Sequence, residues 1–202
     1  MLILVRHGRT EANRAGLLLG RLDVALDAAG EVQAAAVAGA VGPVHRIVSS
    51  PLARARATAG AFGLPVDVDE RWIELDYGDL DGTPLRDVPA ERWAAWRRDP
   101  GWRPPGGESL AELGVRVREA CAELADEAAE RDVVVVSHVS PIKAAAAWAM
   151  GVGEEVAWRL HLTPASITRI GVGERGPSLH GFNDVAHLAP EAPPGPPGTV
   201  DR

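Results

Sequence analysis

The chain has 202 residues, with 21 Lys and Arg against 28 Asp and Glu for a net charge of −7. One α/β sheet covered by helices fills this size and buries roughly 70% of the unfolded chain's surface without covalent staples. The single cysteine, Cys121, excludes an internal disulfide framework and a multi-thiolate metal site, and the acidic balance argues against a general nucleic-acid or anionic-membrane surface.

Leu2 to Val5 read as a buried strand, and Arg6 and His7 follow too soon for these residues to be the apolar core of a signal peptide. No run of about eighteen apolar residues predicts a membrane span, so the expectation is a cytoplasmic protein. Asp27 to Ala40 reads as an aspartate-capped helix, Arg46 to Ser49 as a short strand, the stretch after Pro51 to about Phe62 as a helix, and Leu64 to Val68 as a strand. Residues 69 to 108, rich in Gly, Pro and Trp, read as an excursion from the sheet with a short helix over Pro89 to Arg98. Ser109 and Glu112 form a capping box before a long helix whose Leu110, Leu113, Val117, Cys121, Leu124 and Ala128 recur every three or four residues.

Asp132 to Val136 is a run of four valines behind an aspartate, which predicts a central parallel strand buried on both faces. Ser140 and Pro141 then suit the N-cap and first turn of a helix reaching Met150. Two further strands are predicted at Ser166 to Val172 and Ser178 to Asn183. The expected architecture is a three-layer α/β/α sandwich with a mostly parallel central sheet. One domain spans residues 1–188, and a Pro/Gly-rich flexible tail covers 189–202.

Open α/β sheets bind ligands beyond the carboxyl ends of their strands. Two strand exits carry histidine, in Arg6-His7-Gly8-Arg9-Thr10 and in Ser137-His138. Each ring is open to two readings, a hydrogen-bonded strand-end residue or a reactive group, and two at neighbouring exits favour the second. Arg54 begins a helix near a third exit and suits either the same crevice or a surface salt bridge, whereas Arg56 reads as a solvated charge. Trp93, Trp96 and Trp102 alternate with arginines, and an amphipathic lid over a pocket is preferred to a nucleic-acid stacking platform.

These residues, together with Asn13, Ser50-Pro51-Leu52-Ala53-Arg54, the run Glu74 to Gly82, Pro105 to Ser109, Asn183 and His187, resemble the histidine phosphatase superfamily, also called phosphoglycerate-mutase-like, over nearly the whole chain. The resemblance implies that His7 is a nucleophile forming a transient phosphohistidine. Arg6, Asn13, Arg54 and His138 would hold phosphoryl oxygens, and Glu74 would be the general acid. The chemistry suits these types: forked guanidiniums match the charge spread over a transferring phosphoryl group, and a carboxylic acid protonates a poor alkoxide leaving group. Glu74 needs a desolvated or carboxylate-flanked setting for that role, and Asp76, Asp79 and Asp81 lie close in sequence. Asn183 and His187 are expected to pack near the site without acting in it.

Val139-Ser140-Pro141 after His138, where many members carry Gly-Gly, points to the branch of acid phosphatases and α-ribazole-phosphatase-like enzymes. The expected activity is a metal-independent and cofactor-independent phosphomonoesterase acting on a small metabolite. The alternatives are a cofactor-dependent mutase and a catalytically silent phosphate-binding protein. No metal site, nucleic-acid partner or membrane partner is expected, and the oligomeric state is left open.

Overall fold

The computed structural model describes residues 1–188, and the predicted tail lies outside the described residues. Among them, six strands form one sheet in the order β3-β2-β4-β1-β5-β6. They are β1 (Leu2–Arg6), β2 (Arg46–Ser49), β3 (Val66–Val68), β4 (Val133–Ser137), β5 (Ile167–Gly173) and β6 (Gly176–Asp184). The first four are mutually parallel, with the valine-rich β4 between β2 and β1 as the unbroken apolar run requires. β5 runs antiparallel to β1, and only Glu174 and Arg175 separate it from β6, a link that permits nothing but an antiparallel hairpin. β3 is shorter than the predicted Leu64 to Val68 because Pro65 has no N–H to give a ladder.

Alternation along the strands sorts the core into two layers. Leu2, Leu4, Val133 and Val135 pack with Leu113, Val117, Cys121 and Ala145, which belong to α5 (Leu110–Glu130) and α6 (Val139–Met150). Ile3, Val5, Val134 and Val136 pack on the opposite face with Val37, Ala55 and Ala59, from α2 (Ala28–Val41) and α3 (Ala53–Gly60). A one-turn helix α1 (Glu11–Arg14) follows β1, and α4 (Ala90–Arg98) occupies the excursion. Asp27 caps α2, and the Ser109/Glu112 box caps α5, as predicted.

The start of α6 differs from expectation. Its N-cap is His138 rather than Ser140, and no side chain of the cap residue closes the turn. The orphan amides of Val139 and Ser140 donate instead to the Glu74 carboxylate, at 3.1 and 3.2 Å, so a residue distant in sequence does the work of a cap. Pro141 still falls in the first turn, where its missing N–H costs no helical bond.

Candidate active site

Arg6 is the last residue of β1 rather than the first beyond it, and His7 follows at the carboxyl end of the sheet. The amide of His7 donates to Ser137 and its carbonyl accepts from Ala165, so the backbone fixes where the ring begins. The next residues lie directly on the first turn of α2. A Cβ on Gly8 would collide with the Gly30 carbonyl and one on Gly30 with the Arg9 carbonyl, so both positions need glycine for this close approach. Thr58 of α3 completes the clamp by accepting from the Gly8 amide at 3.0 Å and donating to the Arg54 carbonyl at 2.8 Å.

The His7 ring has one orientation. Nδ1 lies 2.7 Å from the Gly8 carbonyl and must carry the proton there, which leaves Nε2 with the free lone pair. The His138 ring stands 5.1 Å away, centroid to centroid, and its Nε2 meets the Ser50 hydroxyl at 2.7 Å. Both imidazoles are held well below the usual 6.5, first by burial and then by the guanidiniums of Arg6 and Arg54, with the Gly8 carbonyl opposing weakly at His7. Burial is the larger cause, ahead of the guanidiniums.

The arginines keep donors in reserve. Arg54 is fully buried in α3, and its two terminal nitrogens donate to the carbonyls of Gly20 and Leu22, at 2.6 and 2.7 Å. Those carbonyls face it because Asp81 accepts from the amides of Gly20, Arg21 and Leu22 and pins the loop. Arg6 donates to the Leu162 carbonyl at 2.5 Å. A guanidinium has five N–H donors, so both residues retain several, and the Nε atoms of Arg6 and Arg54 and Nδ1 of His138 are buried with no protein partner. Such orphans are costly unless a ligand meets them. Desolvation brings Arg6 down to about 10, still charged at neutral pH.

A cavity of about 460 Å³ opens above this floor, and Arg6, His7, Asn13 and Glu74 reach its wall. His138 and Arg54 do not line it; His138 is packed against the His7 ring beneath, and Arg54 acts on both rings through its charge. Asn13 uses its side-chain oxygen within the Thr10 cap, accepting from the Thr10 amide and hydroxyl, so only its amide N–H groups remain for a ligand.

Glu74 is buried and accepts from the amides of Leu75, Val139 and Ser140. Of the two settings expected for Glu74, desolvated or carboxylate-flanked, the structure shows the first: Asp76 turns to the Gly78 amide and Arg21, and Asp81 to its loop. Asn183 accepts from the Thr163 amide at 2.7 Å and His187 Nε2 lies 2.9 Å from the Ala165 carbonyl, so both brace the segment bordering His7. Ala165 holds a left-handed backbone there, at φ 57°. Arg56 is exposed. Sequence reasoning assigned no role to Ser50 or to the stretch from Ala157 to Pro164, which walls the cavity without any motif. Among the described residues no group of three or more His, Cys, Asp or Glu is arranged to hold a metal ion, and no helix is long and apolar enough to cross a membrane.

The neutral rings set a pH dependence. A histidine whose folded pKa lies below that of the unfolded chain stabilises the fold fully above about 6.5, and that contribution is lost as pH falls below this value, where the unfolded chain binds the proton first. Unfolding free energy should decline from pH 7 toward pH 5, with a slope approaching about 1.4 kcal/mol per pH unit for each ring. Urea unfolding at pH 7.0 and 5.5 measures it, and His138→Asn should flatten the difference by one ring's share. An unchanged slope in that variant would show that the ring is not held neutral.

An oriented neutral imidazole beside buried guanidinium groups, at the carboxyl end of a mostly parallel sheet, is what this α/β fold brings together. Residues 2–185 match the family model of the histidine phosphatase superfamily (branch 1), and the chain belongs to that family. A bifunctional protein of Mycobacterium tuberculosis is 37% identical over 178 residues, 83% of this chain but 49% of the relative, so this chain spans about half that relative's length. A glucosyl-3-phosphoglycerate phosphatase of the same species is 38% identical over 164 residues, 72% of this chain and 73% of that one. The solved structure of a mycobacterial glucosyl-3-phosphoglycerate phosphatase with VO3 superposes with a TM-score of 0.82 at 34% identity, covering 91% of this chain and 98% of that one. Phosphoserine phosphatase of Entamoeba histolytica superposes at 0.86 with 27% identity, covering 93% and 98%.

Proposed function

We propose that the chain is a phosphomonoesterase of small metabolites that uses no metal and passes through a phosphohistidine. The observation that carries this reading is the His7 ring itself, neutral, fixed by the Gly8 carbonyl through Nδ1, and presenting Nε2 at the cavity floor among orphan donors. Nε2 attacks phosphorus, the ester P–O bond breaks, and the departing alkoxide takes a proton from the Glu74 carboxylic acid. The ring then carries both the Nδ1 proton and the phosphoryl group, and the Gly8 carbonyl stabilises its positive charge. In the second half Glu74, now a carboxylate, takes a proton from water, whose oxygen attacks phosphorus. The P–N bond breaks, inorganic phosphate leaves, and His7 returns to neutrality. Arg6 and Asn13 hold equatorial oxygens from the cavity wall, while Arg54 and His138, behind it, contribute positive charge and an unpartnered ring nitrogen beneath the phosphoryl group.

The phosphatase names of the relatives support hydrolysis. A probable phosphoglycerate mutase of Yersinia enterocolitica, 34% identical over 202 residues, keeps phosphoryl return to a bound product as the rival outcome. Incubation with phosphate esters in a chelating buffer decides between them. Release of free phosphate is expected. Relocation of the phosphoryl group on a glycerate would replace the reading by a mutase, and binding without turnover would leave a silent phosphate-binding protein.

A further inference from the structure

We infer that the alcohol half of the substrate is bulky and apolar, an arylalkyl or similar hydrocarbon group rather than a sugar or a carboxylated alcohol. The inference rests on the phosphatase reading of this site. Beyond its reactive floor the cavity is walled by Leu17, Leu19, Leu85, Trp93, Trp158 and Leu162. Trp93 stacks on Trp96 at 5.8 Å with an 18° tilt, and Trp158 meets both edge-on at 6.1 and 5.9 Å, which gives an aromatic wall suited to a ring.

Polar side chains at this end are few, and Lys143 is the one charged group among them, with one of its three N–H donors already committed. Tyr77 and Ser140 face one another at 3.4 Å, and the Lys143 ammonium donates to the Ala157 carbonyl at 2.9 Å. Thr163 and the exposed His161 complete the polar wall. A sugar would leave several hydroxyls without partners on entering, and each such loss weighs against it. A hydrocarbon gains instead, since every buried methylene is worth about fourfold in binding.

The test compares esters whose alkoxides leave with similar difficulty, so that the pocket and not the chemistry sets the ratio. Benzyl and 3-phenylpropyl phosphate are measured against glycerol 3-phosphate and 3-phosphoglycerate by phosphate release. The arylalkyl esters should exceed the others by about 30-fold or more in kcat/KM. Trp93→Ala and Leu85→Asn should each bring that ratio down by about tenfold. Equal or better turnover of glycerol 3-phosphate would overturn the inference and leave the phosphatase reading intact, and a preference for 3-phosphoglycerate would overturn it in favour of Lys143 as a carboxylate anchor. If no ester releases phosphate, it is the phosphatase reading that fails. Calorimetric binding of benzylphosphonate against inorganic phosphate then decides the inference alone, with tighter binding of the phosphonate expected and equal or weaker binding against it.

Discussion

Replacing His7 with alanine should remove turnover, lowering kcat by at least about 10⁴-fold, because loss of the proposed nucleophile leaves only binding and charge stabilisation. The fold should survive. What holds this position is backbone, the His7 amide to Ser137 and its carbonyl to the Ala165 amide, and neither bond involves the ring. Removing the imidazole also leaves Arg6, Arg54, Asn13 and His138 in place, so inorganic phosphate should still bind, as calorimetry can measure. Rapid-quench reaction of the parent chain with a ³²P-labelled ester should trap an acid-labile, base-stable phosphoprotein, and the variant should yield none. Turnover at the full rate with no trapped species would take the nucleophile away from His7. Loss of phosphate affinity along with activity would instead point to collapse of the pocket, which the unfolding midpoint reports independently.

Much of this arrangement is legible before any coordinates, for a physical reason. Strands buried on both faces must be continuously apolar, so Leu2 to Val5 and Val133 to Val136 announce both themselves and the polar residues at their exits. That brings His7 and His138 into one crevice, and the rings do meet at 5.1 Å. Local capping chemistry is equally readable where donor and acceptor are three residues apart, as at Asp27 and Ser109. The misreadings arise where a partner is distant. The sequence offers Ser140 as a cap for α6, but Glu74, 65 positions before Val139, fills that role. The same distance hides the fate of the acidic run: Asp81 serves the loop at Gly20 to Leu22 and Asp76 pairs with Arg21, so nearness to Glu74 in sequence does not make them its neighbours in charge. The wall from Ala157 to Pro164 carries neither periodicity nor motif, and only the closure of the fold brings it over the site.

Glu74 partners the α6 amides and is the proton donor we propose, which makes Glu74→Gln the most informative change after His7. The amide keeps the volume but cannot give up a proton to an alkoxide or take one from water. Esters with basic alcohols should lose about 10² to 10⁴ in the phosphorylation step, while p-nitrophenyl phosphate, whose phenolate leaves unaided, should lose far less. Dephosphorylation still needs the base, so with p-nitrophenyl phosphate the variant should release one equivalent of phenolate rapidly and then stall with phosphohistidine accumulated. A structural cost accompanies this. A glutamine has one acceptor oxygen where the carboxylate offers two, so either Val139 or Leu75 and Ser140 face an NH₂ group, at on the order of 1–3 kcal/mol of stability. That cost is common to every substrate and cannot create a difference between leaving groups, so single-turnover rates separate chemistry from damage. Equal losses on the two kinds of ester would strip Glu74 of the acid role and leave it as the brace of α6.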